Sequence, residues 1–148
     1  MHSFVSCLMH CVFSTKDRKP HLSPEIRQDL QPYLGGICRN NKMKSPMIGG
    51  VEDHIHILLS LPSTMSIAKA VQLLKGNSSK WIHETFPSLK SFEWQEGYGA
   101  FSIGVSGIDA TTKYIQDQAN HHKRRSFKDE LRTILKKHGL DFEEWMLD

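Results

Sequence analysis

Two apolar, β-rich runs decide the fold: Ser45-Pro46-Met47-Ile48-Gly49-Gly50-Val51 and Asp53-His54-Ile55-His56-Ile57-Leu58-Leu59-Ser60-Leu61. One residue, Glu52, separates them, so they read as antiparallel neighbours. Pro62-Ser63 ends the second run. Upstream, Ser3 to Ser14 is apolar with no Gly or Pro, and predicts one long buried strand. After the polar loop Thr15 to Pro20, Ser23-Pro24-Glu25 starts a helix, with Ser as N-cap, Pro at the first position and an acid in the first turn. Ile26, Leu30, Leu34 and Ile37 recur at helical spacing, while Pro32 predicts a kink or early break.

Downstream, Ser66 caps a helix carrying Ile67, Val71 and Leu74 that continues through Gly76 to Phe86. Pro87 to Ser91 is a loop, and Tyr98 to Val105 a fourth strand. Ile108 to Arg125 has one helical pattern, and Phe127 to Lys137 another that Gly139 stops. The order strand–helix–strand–strand–helix–strand is the split βαβ of an α+β, ferredoxin-like (RRM-like) antiparallel sheet. Its helices cover one face, and helices are appended at the C-terminus. Residues 1–148 are expected to form one domain.

Composition narrows the function classes. Of 148 residues, 39% are apolar and 24% charged, an ordinary globular balance that excludes disordered and collagen-like chains. Phe4 to Phe13 is far short of the roughly 20 residues of a membrane helix and lacks signal-peptide flanks, so no membrane partner is expected. Cys7, Cys11 and Cys38 are an odd count with no CxxC spacing, and read as free thiols in a reducing cytoplasm. The net charge of +3 permits a nucleic-acid partner without requiring one. Resolved by position it is less even. Lys113 to Lys137 holds eight Lys or Arg against three acids, and the remaining residues are slightly acidic.

Three groups of residues carry chemistry. Alternation along a strand projects His54 and His56 to one side and Ile55 to the other. Two aligned imidazoles can hold one metal ion; the same pattern also fits two histidines on a half-exposed strand. Glu52 falls on the histidine face if the strand is already regular there, as a ligand or as a partner that holds an imidazole, and Asp53 then points away. On a helix, Tyr114 and Gln118 lie one turn apart on the same face. They read either as a nucleophile beside an oxygen ligand or as a core-edge tyrosine with a solvated glutamine. His121-His122-Lys123-Arg124-Arg125 would extend that helix, as a phosphate grip or as a solvated face. Lys75 is a further candidate for phosphate. Trp81, Trp94, Tyr98 and Phe101 read better as packing residues than as base-stacking ones.

Taken in order along the chain, these segments resemble the IS200/IS605-like single-domain transposases, the Y1 branch of the HUH single-strand endonucleases (U being a bulky apolar residue), which includes the REP-associated tyrosine transposases. Phe13-Ser14-Thr15-Lys16-Asp17-Arg18 resembles the family's strand end, and Asp53 to Leu59 its HUH strand. Leu74-Lys75-Gly76 with Ser78-Ser79 resembles its central helix, Trp94 to Tyr98 the entry to its last strand, and Tyr114-Ile115 with Gln118 and His121-His122 its catalytic helix.

The resemblance implies that Tyr114 is the nucleophile and that His54, His56 and Gln118 hold a divalent metal, Mg²⁺ or Mn²⁺. It implies single-stranded DNA with a hairpin as substrate, cut and rejoined through a 5′-phosphotyrosine. It also implies a homodimer in which the tyrosine helix can complete the partner's site, and a cytoplasmic protein that is nucleoid-associated when bound to DNA. A domesticated REP-associated nuclease, or a hairpin-binding module without catalysis, fits the same residues. A metallohydrolase acting through His54, His56 and a bound water fits less well, because no third ligand beyond Glu52 is evident.

Overall fold

In a computed structural model describing residues 1–148, a four-stranded antiparallel sheet is built around β1 (Leu8–Ser14) and β3 (His54–Ser60). β2 (Lys44–Gly50) flanks β3 and β4 (Gly99–Ile103) flanks β1, giving the order β2-β3-β1-β4. With α1 (Pro24–Asn40) between β1 and β2, and α2 (Ile67–Thr85) between β3 and β4, this is the expected split βαβ plan. No helix is long and apolar enough to cross a membrane.

The two faces of the sheet have different tasks. Met9, Cys11, Phe13, Ile55, Ile57 and Leu59 point toward α1 and α2, meeting Leu30, Leu34, Ile37, Ala70, Leu74 and Ile82 in the main core. The other face carries His10, Val12, His54 and His56, and is covered by the C-terminal helices. A one-residue slip of β3 would put His54, His56 and Leu58 where Ile55, Ile57 and Leu59 now pack. At about 1.5–3 kcal/mol for each of the two apolar side chains lost, the slip would cost on the order of 3–6 kcal/mol, a large part of the stability of a small domain. The histidine face is therefore set by the core face.

The caps predicted at Ser23 and Ser66 form, each hydroxyl accepting from the backbone N–H three residues on. Three expectations change. The first strand begins at Leu8, not Ser3, because its ladders with β3 and β4 start there, with the Cys7 carbonyl still accepting from the Leu61 N–H; Phe4 and Val5 are exposed. α1 runs through Pro32 without a break. Pro32 and Gln28, whose carbonyl loses its partner there, both face solvent, where water replaces the missing bond. The single helix expected over 108–125 divides into α3 (Ile108–Gln116) and α4 (Gln118–Arg124), with Asp117 (φ −93°, ψ 20°) between them. The Asp117 carboxylate accepts from the Asn120 amide at 2.5 Å, and its carbonyl accepts from the Asn120 and His121 N–H groups, so a new helix starts there. α5 (Phe127–Lys137) follows, capped by Ser126 and ended at Gly139, whose φ of 66° suits glycine.

Candidate metal and nucleophile site

β3 opens on His54, and the turn before it fixes what the imidazole meets. The Thr15 N–H donates to the Asp53 carbonyl, the Thr15 hydroxyl donates to the Lys19 carbonyl, and the Leu22 N–H donates to the Glu52 carbonyl. That turn brings the Asp53 carboxylate to 2.6 Å from His54 Nδ1. Asp53, expected to point away, therefore takes the imidazole-holding position expected of Glu52. Glu52 instead lies 2.8 Å from His122 Nε2. On the neighbouring strand, His10 Nε2 is 2.7 Å from His56 Nδ1. With their Nδ1 atoms engaged, both fully buried histidines turn Nε2 into the space under α3–α5.

Three side chains converge there. Gln118, at the start of α4, places Oε1 3.0 Å from His54 Nε2. Its amide nitrogen faces the Tyr114 carbonyl at 3.3 Å and Glu130 Oε1 at 3.2 Å. The Tyr114 hydroxyl, on α3, donates to Glu130 Oε1 at 2.5 Å. Glu130, on α5, is fully buried, with Oε1 2.9 Å from His56 Nε2 and Oε2 3.4 Å from His54 Nε2. α3 can lie this close because Gly49 of β2, paired with His56, has no side chain; a Cβ there would meet the Ile115 carbonyl at 2.6 Å. Phe127 stacks on His54 at 4.3 Å between centroids and carries the Arg18 guanidinium 4.7 Å from its own.

The electrostatics follow from burial and contact. Burial disfavours charge on His54, but its hydrogen bond to Asp53 and the nearby Glu130 carboxylate outweigh this and raise its pKa to about 9. Burial lowers His56 despite the Glu130 contact, and burial with the neighbouring His56 lowers His10 to about 3. Burial works to raise Glu130, yet the adjacent His54 and His56 imidazoles hold it well below the usual carboxylate range. Burial, then the hydrogen bond to Glu130, keeps the Tyr114 hydroxyl protonated above the ordinary tyrosine range.

The structure thus brings His54, His56, Tyr114 and Gln118 together within one chain. The Lys and Arg residues stand outside this cluster. Lys123 and Arg124 are exposed at the end of α4 and make no ion pair, and Arg125 donates to the Thr133 hydroxyl. His121 stacks on the Tyr114 ring at 4.6 Å. Lys75 is already engaged: its ammonium donates to the Gln95 and Gly97 carbonyls, and burial lowers its pKa. Trp81 stacks on Tyr33, Trp94 packs edge-on against Phe13 and Phe92, and Phe101 is buried; Tyr98 alone of these aromatics is well exposed.

Two members of the cluster were missed in the sequence. Glu130 is an acid within the apolar stripe Phe127, Leu131, Ile134 of α5, and that misplacement was its signal. It supplies the carboxylate that the chain was not expected to offer. His10 is a lone imidazole inside an apolar strand.

Residues 3–118 match the family described as "Transposase IS200 like". The transposase for insertion sequence element IS200 from Salmonella typhimurium is 31% identical over 126 residues, covering 81% of this chain and 79% of that protein. The ISDra2 transposase TnpA of Deinococcus radiodurans is 26% identical over 114 residues, covering 74% and 81%. Among solved structures, a putative transposase from Deinococcus radiodurans has the same fold, with a TM-score of 0.66 at 24% identity, covering 80% of this chain and 95% of that one. So has a REP-associated tyrosine transposase bound to a REP hairpin, with a TM-score of 0.62 at 14% identity, covering 82% and 72%.

Proposed function

The chain belongs to the family of IS200-like transposases, and from that premise we propose that it is a metal-dependent single-stranded DNA endonuclease and strand transferase acting beside hairpins. The observation that carries this reading is the convergence of Tyr114 and Gln118 on the Nε2 side of His54 and His56 in a buried cluster.

The donor set fits a divalent cation. His56 Nε2 and Glu130 Oε2 are buried polar atoms with no hydrogen-bond partner, which points to a shared missing partner. His54 Nε2 and Gln118 Oε1, 3.0 Å apart, face the same buried space and would both be available to a cation held there. Two imidazoles and an amide oxygen suit Mg²⁺ or Mn²⁺ better than a thiolate zinc site. When bound, the cation polarises the scissile phosphoryl group and stabilises the charge that develops on it.

The chain's own residues do the rest. His54, His56 and the Gln118 oxygen would hold the cation; Asp53 and His10 hold the imidazoles with Nε2 facing inward. The Tyr114 oxygen attacks the scissile phosphorus and gives up its proton. The bond from phosphorus to the 3′-oxygen breaks, and the 3′-hydroxyl leaves. The phosphoryl bond energy is conserved as a 5′-phosphotyrosine, which another 3′-hydroxyl can later attack to join strands. Lys123 and Arg124, free and exposed, neutralise phosphates, with Arg125, His121 and His122 on the same helix end.

A hairpin is the ligand to test because a protein of this fold is described as bound to a REP hairpin. The same likeness motivates the reading as a domesticated REP-associated nuclease. Homodimers are the expected assembly, and exchange of the tyrosine helix would supply the same contacts from a partner. Oligonucleotide hairpins with single-stranded flanks, incubated with protein and Mn²⁺, should be cut in the flank, and EDTA or Tyr114→Phe should abolish cutting. Hairpin binding without cleavage of any substrate would favour the non-catalytic module. Cleavage that survives Tyr114→Phe would favour a hydrolytic site using a bound water.

A further inference from the structure

Glu130 is the least expected member of the cluster. It lies C-terminal to residues 3–118, the span of the family match, and reaches the site from α5. A lone ionised carboxylate in a protein interior costs several kcal/mol unless its oxygens are compensated. Here the compensation is divided. Oε1 accepts the Tyr114 hydroxyl and lies 3.2 Å from the Gln118 amide nitrogen. Oε2 accepts nothing, although His54 Nε2 is 3.4 Å away. His56 Nε2, 2.9 Å from Oε1, is also without a hydrogen bond of good geometry. Asp53 and His10 engage the two Nδ1 atoms, so both Nε2 atoms and the Glu130 carboxylate crowd one buried space. A divalent cation there would replace the imidazole protons that otherwise compensate Glu130, and His54, His56 and Glu130 each offer a ligand atom within 4.8 Å of the others.

We propose that Glu130 is a fourth protein ligand of the divalent cation, and that the same carboxylate holds the Tyr114 hydroxyl through its other oxygen, so that α5 couples cation binding to the placement of the nucleophile. The proposal rests on the reading of His54, His56 and Gln118 as metal ligands. Its chemical consequences are definite. A single formal negative charge joins two neutral imidazoles and an amide, which strengthens the site for a hard dication. Four protein ligands leave two of six octahedral positions for phosphate oxygen or water. Tyr114 is held by the same group that would ligate the cation.

The test is Mn²⁺ binding by calorimetry to the full chain in the absence of DNA, with Mn²⁺-induced shifts in Tm and in tyrosine ultraviolet absorbance recorded in parallel. Wild type, Glu130→Gln, Glu130→Asp, His56→Ala and Tyr114→Phe are compared. Glu130→Gln should weaken Mn²⁺ about 10–100-fold, as losing metal-site support does elsewhere, and should shrink the Mn²⁺-induced rise in Tm. Glu130→Asp, which keeps the charge on a shorter arm, should recover part of the affinity; if the Gln variant does not fold, the Asp variant must still bind Mn²⁺ more weakly than wild type. Wild type should show a Mn²⁺-dependent tyrosine difference spectrum that Tyr114→Phe and Glu130→Gln both lose. Mn²⁺ affinity within twofold of wild type in the folded Glu130 variants, with loss in His56→Ala, overturns the role of Glu130 and leaves the two-histidine site standing. A difference spectrum retained in Glu130→Gln overturns the coupling to Tyr114. Wild-type protein that binds no Mn²⁺ removes the metal reading itself, and this proposal with it.

Discussion

His10 Nε2 lies 2.7 Å from His56 Nδ1 in the buried face of the sheet, and a neutral His10 lets His56 donate through Nδ1 and keep Nε2 free for a ligand. Burial and the neighbouring His56 lower the His10 pKa from 6.5 to about 3. Between those values the unfolded chain binds a proton that the folded chain does not, so stability rises with pH across the window and is lost as pH falls through it. In EDTA, urea unfolding between pH 4 and 6.5 should therefore be less pH-dependent for His10→Gln, by up to about 1.4 kcal/mol per pH unit. Identical slopes for variant and wild type would refute a buried neutral His10.

Asp53 fixes His54 through a 2.6 Å contact. Asp53→Asn keeps the shape and loses the charge, and should weaken Mn²⁺ binding about 10-fold or more. Glu52→Gln, at a residue that faces His122 instead, should leave Mn²⁺ affinity within about twofold in the same titration.

Gly49→Ala tests the seat of α3. The added methyl meets the Ile115 carbonyl and side chain within 3 Å, and should destabilise the fold by about 1–3 kcal/mol as overpacking does. Because Ile115 adjoins Tyr114, the folded variant should lose cleavage more than hairpin affinity. An equal loss of both would argue that α3 placement is not the cause.

Lys123 and Arg124 make no ion pairs. Replacing either by Ala should weaken binding to all hairpins about equally and reduce the salt slope by about one unit. Lys75→Ala should act differently. It frees the carbonyls of Gln95 and Gly97, so the change expected is lower thermal stability rather than a lower salt slope.

Tyr114 reaches the histidines of its own chain. A mixture of Tyr114→Phe and His56→Ala proteins should therefore remain inactive. Restored cleavage in the mixture would place the working tyrosine in a partner's site.

The parts of the molecule legible in the sequence are those where local chemistry and burial agree. Ser23 and Ser66 cap their helices because hydroxyl geometry is local, and the alternation of His54, Ile55, His56, Ile57 settles the two faces of β3. What escaped depended on partners distant in the chain. The Asp53 turn is held by the Thr15 N–H, distant in the chain; the first strand begins only where its ladders with β3 and β4 begin. Glu130 gains its place from Tyr114 and two histidines on other elements. Pro32 misled because the lost hydrogen bond falls on a solvent-facing turn, where it matters least.

The central claim is that Tyr114 itself attacks DNA. A hairpin oligonucleotide labelled at its 3′ end, incubated with Mn²⁺ and denatured, should leave the labelled fragment covalently attached to protein, and peptide mass spectrometry should place a 5′-phosphotyrosine at Tyr114. Tyr114→Phe should yield no adduct. Cleavage without any adduct, or an adduct on another residue, would contradict the account.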